Sequence, residues 1–315
     1  MIRREAPAIQ DVQQVLTECL HSTDFTVERE RSGVSTYVYR VHAAGQVLYL
    51  RVLPEQGMSF VVEVQLHQLL RLKGVQVPEV LHFEHRNEVL GMSMMVVTEI
   101  AGSDASRCDS ADQYKHLLRE AGHQLALLNQ VDVDGFGWVV RDNTSLDKKL
   151  HGEKRSLHEV IFENLDEDLS GLAGHVFHPE EAARIRQLLD SGTELMTRHA
   201  PKLAHGDFDD SHIFQQDGQY SGIIDFGEIQ GSSPFYDLGH FKLHDGQRYQ
   251  GFEALTAGYH DVRMLTRDDH AEIDLWALWI GVRRLGMIHG RPLGGYHEHL
   301  SRTVKQLLTH MKPMK

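Results

Sequence analysis

Two short stretches, H-G-D-F-D-D-S-H at 205–212 and I-I-D-F-G at 223–227, constrain this chain more than any other part of it. Between them, Asp217-Gly218 separates two strand-like runs, which reads as a tight hairpin turn. A hairpin brings its outer ends together, so Asp207, His212 and Asp225 are expected to converge at one edge. Such a cluster suits phosphoryl transfer. One carboxylate accepts the proton of an attacking hydroxyl, and others hold Mg²⁺ against nucleotide phosphates. Mg²⁺ prefers oxygen ligands, which makes Asp225 its natural carboxylate and His212 the unusual partner.

Around the hairpin the chain changes character. The first hundred residues are strand-rich: Y-V-Y-R-V alternates, H-A-A-G-Q turns, and V-L-Y-L-R-V returns. Val62, Leu66, Leu69 and Leu70 then recur at helical spacing, and two more strands are expected around 79–85 and 93–100. From about residue 111 the segments are long and helical. Leu117, Leu118, Ala121, Leu125 and Leu128 form one stripe, and Pro179-Glu180-Glu181 opens a helix over 179–197. The segments 270–287 and 297–311 read as amphipathic helices. An α+β fold follows: a small antiparallel sheet with one main helix, then a larger, mostly helical half, dividing near 98–102.

Composition narrows the class. A chain of 315 residues can bury two cores, and 41% hydrophobic with 24% charged residues is ordinary for a soluble globular enzyme. A formal net charge of -13 argues against nucleic acid or an anionic membrane as a partner. Cys19 and Cys108 make no disulfide framework, no apolar run is long enough to span a bilayer, and no signal region follows M-I-R-R-E-A-P-A. A cytoplasmic location is therefore expected, with the chain a monomer or homodimer. His240 and His244 stand four apart, as metal ligands on a helix can, but without H-E-x-x-H or a cysteine pair zinc is not expected.

The order histidine, x, aspartate, a ligand position five residues on, then D-F-G matches a protein-kinase signature set. With the glycine-poor loop R-S-G-V-S-T-Y-V-Y-R-V, the link G-V-Q-V-P-E-V-L, G-F-G-W at 135–138 and P-F-Y-D-L at 234–238, the chain resembles the aminoglycoside phosphotransferase family. This is the small-molecule, choline-kinase-like branch of the kinase fold. The resemblance covers about residues 25–290 and implies a nucleotide-binding lobe over 1–101 and a helical lobe over 102–315 with the catalytic loop and substrate site. It implies Asp207 as catalytic base, Asp225 as metal ligand, and His205 and Asp237 as supports of the loop. It implies Ser32, Gly33, Ser35 and Thr36 over the nucleotide phosphates and Glu99, Ile100 and Ala101 as the hinge beside the base. Glu63 then matches the helix glutamate that pairs with a strand cation.

Two positions depart from the pattern. Arg51 stands where a lysine is usual; it keeps the charge on a flatter, bidentate head. The hygromycin phosphotransferases resemble this chain there. His212 stands where asparagine is usual, and it could ligate the metal, hold a metal-bound water or phosphate oxygen, or mark a lost site. Macrolide and aminoglycoside 2''-phosphotransferases carry histidine in similar loops, which favours the first two roles and implies GTP as well as ATP as a donor to test.

The expected function is an ATP- or GTP-dependent, Mg²⁺-requiring kinase that phosphorylates a hydroxyl of a small molecule such as an aminoglycoside or other antibiotic. The alternatives are a nucleotide- or ligand-binding pseudokinase, and a metabolic kinase of choline, homoserine or a sugar. From His205 to Asp245 eight acidic residues face one basic residue, which suits a cationic acceptor or simply a solvated acidic loop. Family resemblance puts acceptor contacts within 135–175 and 236–295, where Asp166, Asp168 and Asp245 could meet cationic amines.

Overall fold

Strand periodicity decides the first half. The computed structural model describes residues 3–30, 36–141, 146, 149–246, 248–291 and 294–313. Helix α1 (Ile9–Leu20) leads into β1 (Phe25–Glu30), β2 (Tyr37–Ala43) and β3 (Gln46–Val52). Then come helix α2 (Val61–Leu72), β4 (Val80–Glu84) and β5 (Met94–Thr98). The strands form one antiparallel sheet in the order β1-β2-β3-β5-β4. Along β3 the alternation sends Leu48, Leu50 and Val52 to one face, where they pack with Val12, Val15 and Leu16 of α1. Tyr49 and Arg51 therefore face the opposite side. Helix α1 is an addition to the sequence expectation, which held only one main helix in this half.

Helix α2 ties the two halves together. Val64 and the preceding Phe60 pack against Met95 and Val97 of the sheet, whereas Val62, Leu66 and Leu70 join the core of the second half. Two apolar faces on one helix tie it to both cores.

The second half contains β6 (Ser103–Asp104), α3 (Ala111–Leu128), β7 (Phe136–Val139), β8 (Gly152–Lys154), α4 (Leu157–Phe162), α5 (Leu165–Leu172) and α6 (Pro179–Thr197). It continues with β9 (Lys202–Ala204), β10 (Ile213–Gln216), β11 (Gln219–Ile223), β12 (Gln230–Ser232), α7 (Tyr236–His244), α8 (Phe252–Val262), α9 (Arg267–Ile288) and α10 (Gly295–His310). Ser110 caps α3 by accepting from the Gln113 amide, and the predicted leucine stripe of α3 is buried. Two small sheets, β11-β10-β6 and β8-β7-β12-β9, flank the segment from β9 to β10. The β10–β11 turn is the expected two-residue hairpin, with Asp217 at φ 51° and Gly218 at φ 79°.

Helix α9 departs from expectation. It is not a surface helix with one apolar stripe: every residue from 275 to 282 is buried, because α5, α6, α7 and α10 pack around it. Its two ends emerge from the core, Arg267, Asp268 and His270 at the start and the turns that carry Arg283 and Arg284 at the finish. Trp276 is fully buried in its middle, so Trp276→Ala should destabilise the protein by about 3–5 kcal/mol in urea unfolding. Leu72→Ala, at a side chain 85% exposed, should stay within about 0.5 kcal/mol of the unaltered chain.

Candidate active site

The loop from β9 to β10 is held from beneath by one buried carboxylate. Asp237, in the first turn of α7, accepts from the backbone amides of His205 and Gly206, both at 2.9 Å, and from the Asn129 side-chain amide at 3.1 Å. His205 is itself buried, and its Nε2 donates to the Ile224 carbonyl at 2.9 Å, which joins the loop to the strand leading into Asp225. Burial keeps the His205 imidazole below its ordinary pKa.

With the loop fixed, Asp207, His212 and Asp225 converge as the hairpin predicts. His212 Nδ1 donates to the Asp207 carbonyl at 2.7 Å, which leaves Nε2 turned toward Asp225, 3.9 Å from Oδ2. Burial disfavours charge on His212, but Asp209, Asp207 and Asp225 outweigh it and raise its pKa. Asp225 has a left-handed backbone (φ 63°), and its carboxylate accepts from the Gly227 amide at 3.2 Å while remaining more than half exposed. The donor set fits a divalent cation: two ligand atoms about 2.1 Å from one Mg²⁺ stand at most about 4.2 Å apart.

Asp207 is surrounded by positive or polar groups that the sequence did not single out for this place. Arg284 Nη2 donates to Asp207 Oδ1 at 3.1 Å and to Glu228 Oε2 at 2.5 Å. His240, fully buried, gives its Nδ1 hydrogen to the Phe208 carbonyl; its Nε2 lies 3.3 Å from Asp207 Oδ1, close enough for charge but not aligned as a hydrogen bond. Burial pushes the Asp207 carboxyl up, but His240, His212 and Arg284 together hold it well below the usual carboxylate range. The Asp207 carboxyl is therefore ionised at neutral pH.

On the sheet side, Arg51 pairs with Glu63 of α2, so the strand cation and helix glutamate expected from the sequence do meet. Its side chain is largely covered and lies over the Phe60 ring. A second arginine joins them. Arg141 Nη1 is 3.7 Å from Glu63 Oε2, and its Nη2 donates to the carbonyls of Phe226 at 2.6 Å and Gly227 at 3.0 Å. Burial raises the pKa of Glu63, but the two arginines more than reverse this, so the buried carboxylate is ionised.

These groups border a cleft of about 930 Å³ lined by Thr36, Val38, Arg51, Ile100, Trp138, Arg141, Phe214 and Asp225. Of the expected hinge residues, Ile100 lines the cleft. The Glu99 carboxylate instead accepts from Tyr49 and Arg40, and the Ala101 carbonyl accepts from Ser221 at 2.8 Å. Ser32, Gly33 and Ser35 lie outside the described residues. A smaller cavity of about 170 Å³ lies beside Arg284, walled by Trp138, Tyr236, Trp279 and Met287 with Glu163, Glu228 and Arg283.

The acids proposed as partners for cationic amines are already engaged. Asp166 pairs with Arg186, Asp168 accepts from Arg283 Nη1 at 3.0 and 2.9 Å, and Asp245 accepts from the amides of Gly251 and Phe252 at the start of α8. In the loop, Asp209 accepts from Ser211, and burial beside Asp209 and Asp104 pushes the Asp210 carboxyl up to about 6. The local excess of acids thus translates into less free negative charge than a count suggests. The His240 and His244 rings lie 4.4 Å apart at a tilt of 31°, and His244 Nε2 reaches the Tyr296 hydroxyl at 3.2 Å.

Comparison with known proteins identifies the family and the fold. The profile of the phosphotransferase enzyme family matches residues 26–276. An aminoglycoside 3'-phosphotransferase of Enterococcus faecalis is 27% identical over 219 residues, 67% of this chain and 76% of that protein. The enzyme of the same name from Staphylococcus aureus aligns with the same identity and coverage. Among solved structures, the aminoglycoside phosphotransferase APH(4)-Ia superposes with a TM-score of 0.68 at 14% identity, over 96% of this chain and 99% of that one. A thermostable mutant of that enzyme, in ternary complex with ADP and hygromycin B, gives 0.65 at 14% identity over 95% and 98%. Likeness at this level of identity carries the two-lobed fold.

Two outcomes test the site's construction. Asp237→Asn replaces an acceptor by a donor facing backbone N–H groups, and should cost about 1–3 kcal/mol in urea unfolding. His244 provides a pH test, since burial and then His240 hold its pKa down at about 3 against an ordinary 6.5. An unfolded chain takes up that proton near pH 6.5, so the stability is complete above 6.5 and is lost as pH falls toward 3. Unfolding at pH 7 and pH 5 should therefore show His244→Gln losing about 1–2 kcal/mol less on acidification than the unaltered protein.

Proposed function

The chain belongs to the phosphotransferase enzyme family, and from that premise we propose that Asp207 is the general base of a phosphoryl transfer from ATP to a small-molecule hydroxyl. The chain is a small-molecule kinase with an alcohol acceptor; what is proposed is how its residues divide the work. The acceptor oxygen attacks the γ-phosphorus, its O–H proton passes to Asp207, a new P–O bond forms, and the bond to the β,γ-bridging oxygen breaks to release ADP. The observation that carries this reading is the ionised Asp207 held beside the His212–Asp225 pair on a loop fixed by Asp237.

His212 Nε2 and Asp225 would hold Mg²⁺, whose charge neutralises the nucleotide phosphates when it is bound. Arg51 would touch those phosphates from the sheet side while Glu63 and Arg141 keep it in place. Thr36 would contribute from the rim, and Ile100 would border the base. The aromatic walls Trp138, Tyr236 and Trp279 next to Arg284 support the smaller, partly open cavity as the acceptor's place, where aromatic faces can cover a sugar ring. Two relatives are aminoglycoside 3'-phosphotransferases and one neighbour holds hygromycin B, which supports an aminoglycoside-like, polyhydroxylated acceptor. The internal pairing of Asp166, Asp168 and Asp245 places less weight on cationic amines.

The test is a panel of aminoglycosides, macrolides, choline, homoserine and sugars, each with ATP and with GTP in Mg²⁺, followed by nucleoside diphosphate release and mass of the product. At least one acceptor should gain a phosphoryl group, and Asp207→Asn should lower its turnover by about 10²–10⁴ with nucleotide binding retained. No turnover with any acceptor, or full turnover by Asp207→Asn, would count against the reading. His212→Asn should change the Mg²⁺ concentration needed for half-maximal rate, and an unchanged requirement would remove His212 from the metal site.

A further inference from the structure

Arg284 has no counterpart among the residues that the sequence pattern or the family resemblance assigns, yet among the described residues it hydrogen-bonds the carboxylate of the proposed base, at 3.1 Å. One of its nitrogens, Nη2, bridges two carboxylates, 3.1 Å from Asp207 Oδ1 and 2.5 Å from Glu228 Oε2, while Nη1 lies 3.4 Å from Glu228 Oε1. The bridge joins three separate parts of the chain: the loop before β10, the residue after D-F-G, and the C-terminal part of α9, beyond its buried middle. Glu228 is not free to follow Arg284 elsewhere, since its backbone carbonyl packs directly on Gly206 of the same loop. A guanidinium between two fixed carboxylates has little freedom of its own, and its planar fork suits this better than an ammonium would.

The consequence is a choice between the two oxygens of Asp207. Oδ1 faces Arg284 and His240, at 3.1 and 3.3 Å. Oδ2 lies 3.9 Å from His212 Nδ1, whose hydrogen is already directed at the Asp207 carbonyl. Arg284 and Glu228 also line the smaller cavity, so an acceptor seated there meets the base past this bridge.

Building on the kinase reading above, we propose that Arg284, clamped by Glu228, is a positioning residue for phosphoryl transfer: it takes Oδ1 of Asp207 and so presents Oδ2 to the acceptor hydroxyl. The competing role is purely structural. A partly exposed ion pair adds little stability, and α9 is anchored by its apolar middle, so the two roles separate in measurement.

The experiment measures kcat and KM for ATP and for each panel acceptor that the unaltered chain phosphorylates, in Arg284→Gln, Arg284→Lys, Glu228→Gln and the Arg284→Gln/Glu228→Gln double variant, with thermal unfolding of each. The proposal expects kcat to fall about ten- to a hundredfold in Arg284→Gln, with KM for ATP within about twofold. Glu228→Gln should fall by a comparable factor, and the double variant no lower than the worse single one, since the pair acts as a unit. Arg284→Lys, which restores the charge but meets one carboxylate at a time, should recover part of the loss. A kcat for Arg284→Gln within twofold of the unaltered chain, a loss confined to KM for ATP, or additive losses in the double variant would overturn it. Should Arg284→Gln fail to fold, Glu228→Gln alone carries the same comparison. Absence of any turnover by the unaltered chain is a different result, since it overturns the kinase reading itself.

Discussion

The geometry of the site rests on a carboxylate that touches neither cleft nor solvent. Asp237 is fully buried and spends its acceptors on the amides of His205 and Gly206 and on the Asn129 side chain. A buried ionisable group is tolerated only where such bonds replace the water it has lost. Because they go to two successive backbone amides, they set the direction in which the chain leaves β9. That direction decides where Asp207 points, how His212 can reach its carbonyl, and which way Nε2 faces. The chemistry is thus laid out by a residue in α7, which is itself packed against the buried α9.

A second buried carboxylate organises the other wall. Glu63 takes both Arg51 from the sheet and Arg141 from beyond β7, and Arg141 in turn holds the carbonyls of Phe226 and Gly227. The turn after Asp225, the sheet and α2 are therefore linked through one anion and two guanidiniums. Removing Glu63 would strand two cations near each other in a poorly hydrated place, a larger disturbance than losing a surface pair. Arginine in the strand position is compatible with this arrangement, since its flat head can pair with Glu63 and cover the Phe60 ring at once.

What was legible in the sequence was local. The D-G turn, the stripe on α3, the Pro-Glu-Glu start of α6 and the convergence of Asp207, His212 and Asp225 all follow from spacings of a few residues. What was not legible was set by distance along the chain. Arg284 lies 77 residues from the carboxylate it touches, and nothing adjacent to it marks that contact. Arg141 reaches Phe226 across 85 residues and has the same defect as a signal. Acids misled for the opposite reason: Asp168 and Asp245 look available in one dimension and are satisfied in three. The surroundings of α9 are not legible because helical periodicity reports a one-sided environment, and the middle of this helix is packed by α5, α6, α7 and α10.

One small feature connects the two signature stretches more tightly than either does alone. Gly206 has φ +88°, and a Cβ placed there would stand 1.8 Å from the carbonyl oxygen of Glu228. The middle letter of H-G-D is therefore written by the residue that follows D-F-G, through hard-sphere contact rather than chemistry. Asparagine or arginine at 206 would first require the backbone at 228 to retreat, carrying the partner of Arg284 with it.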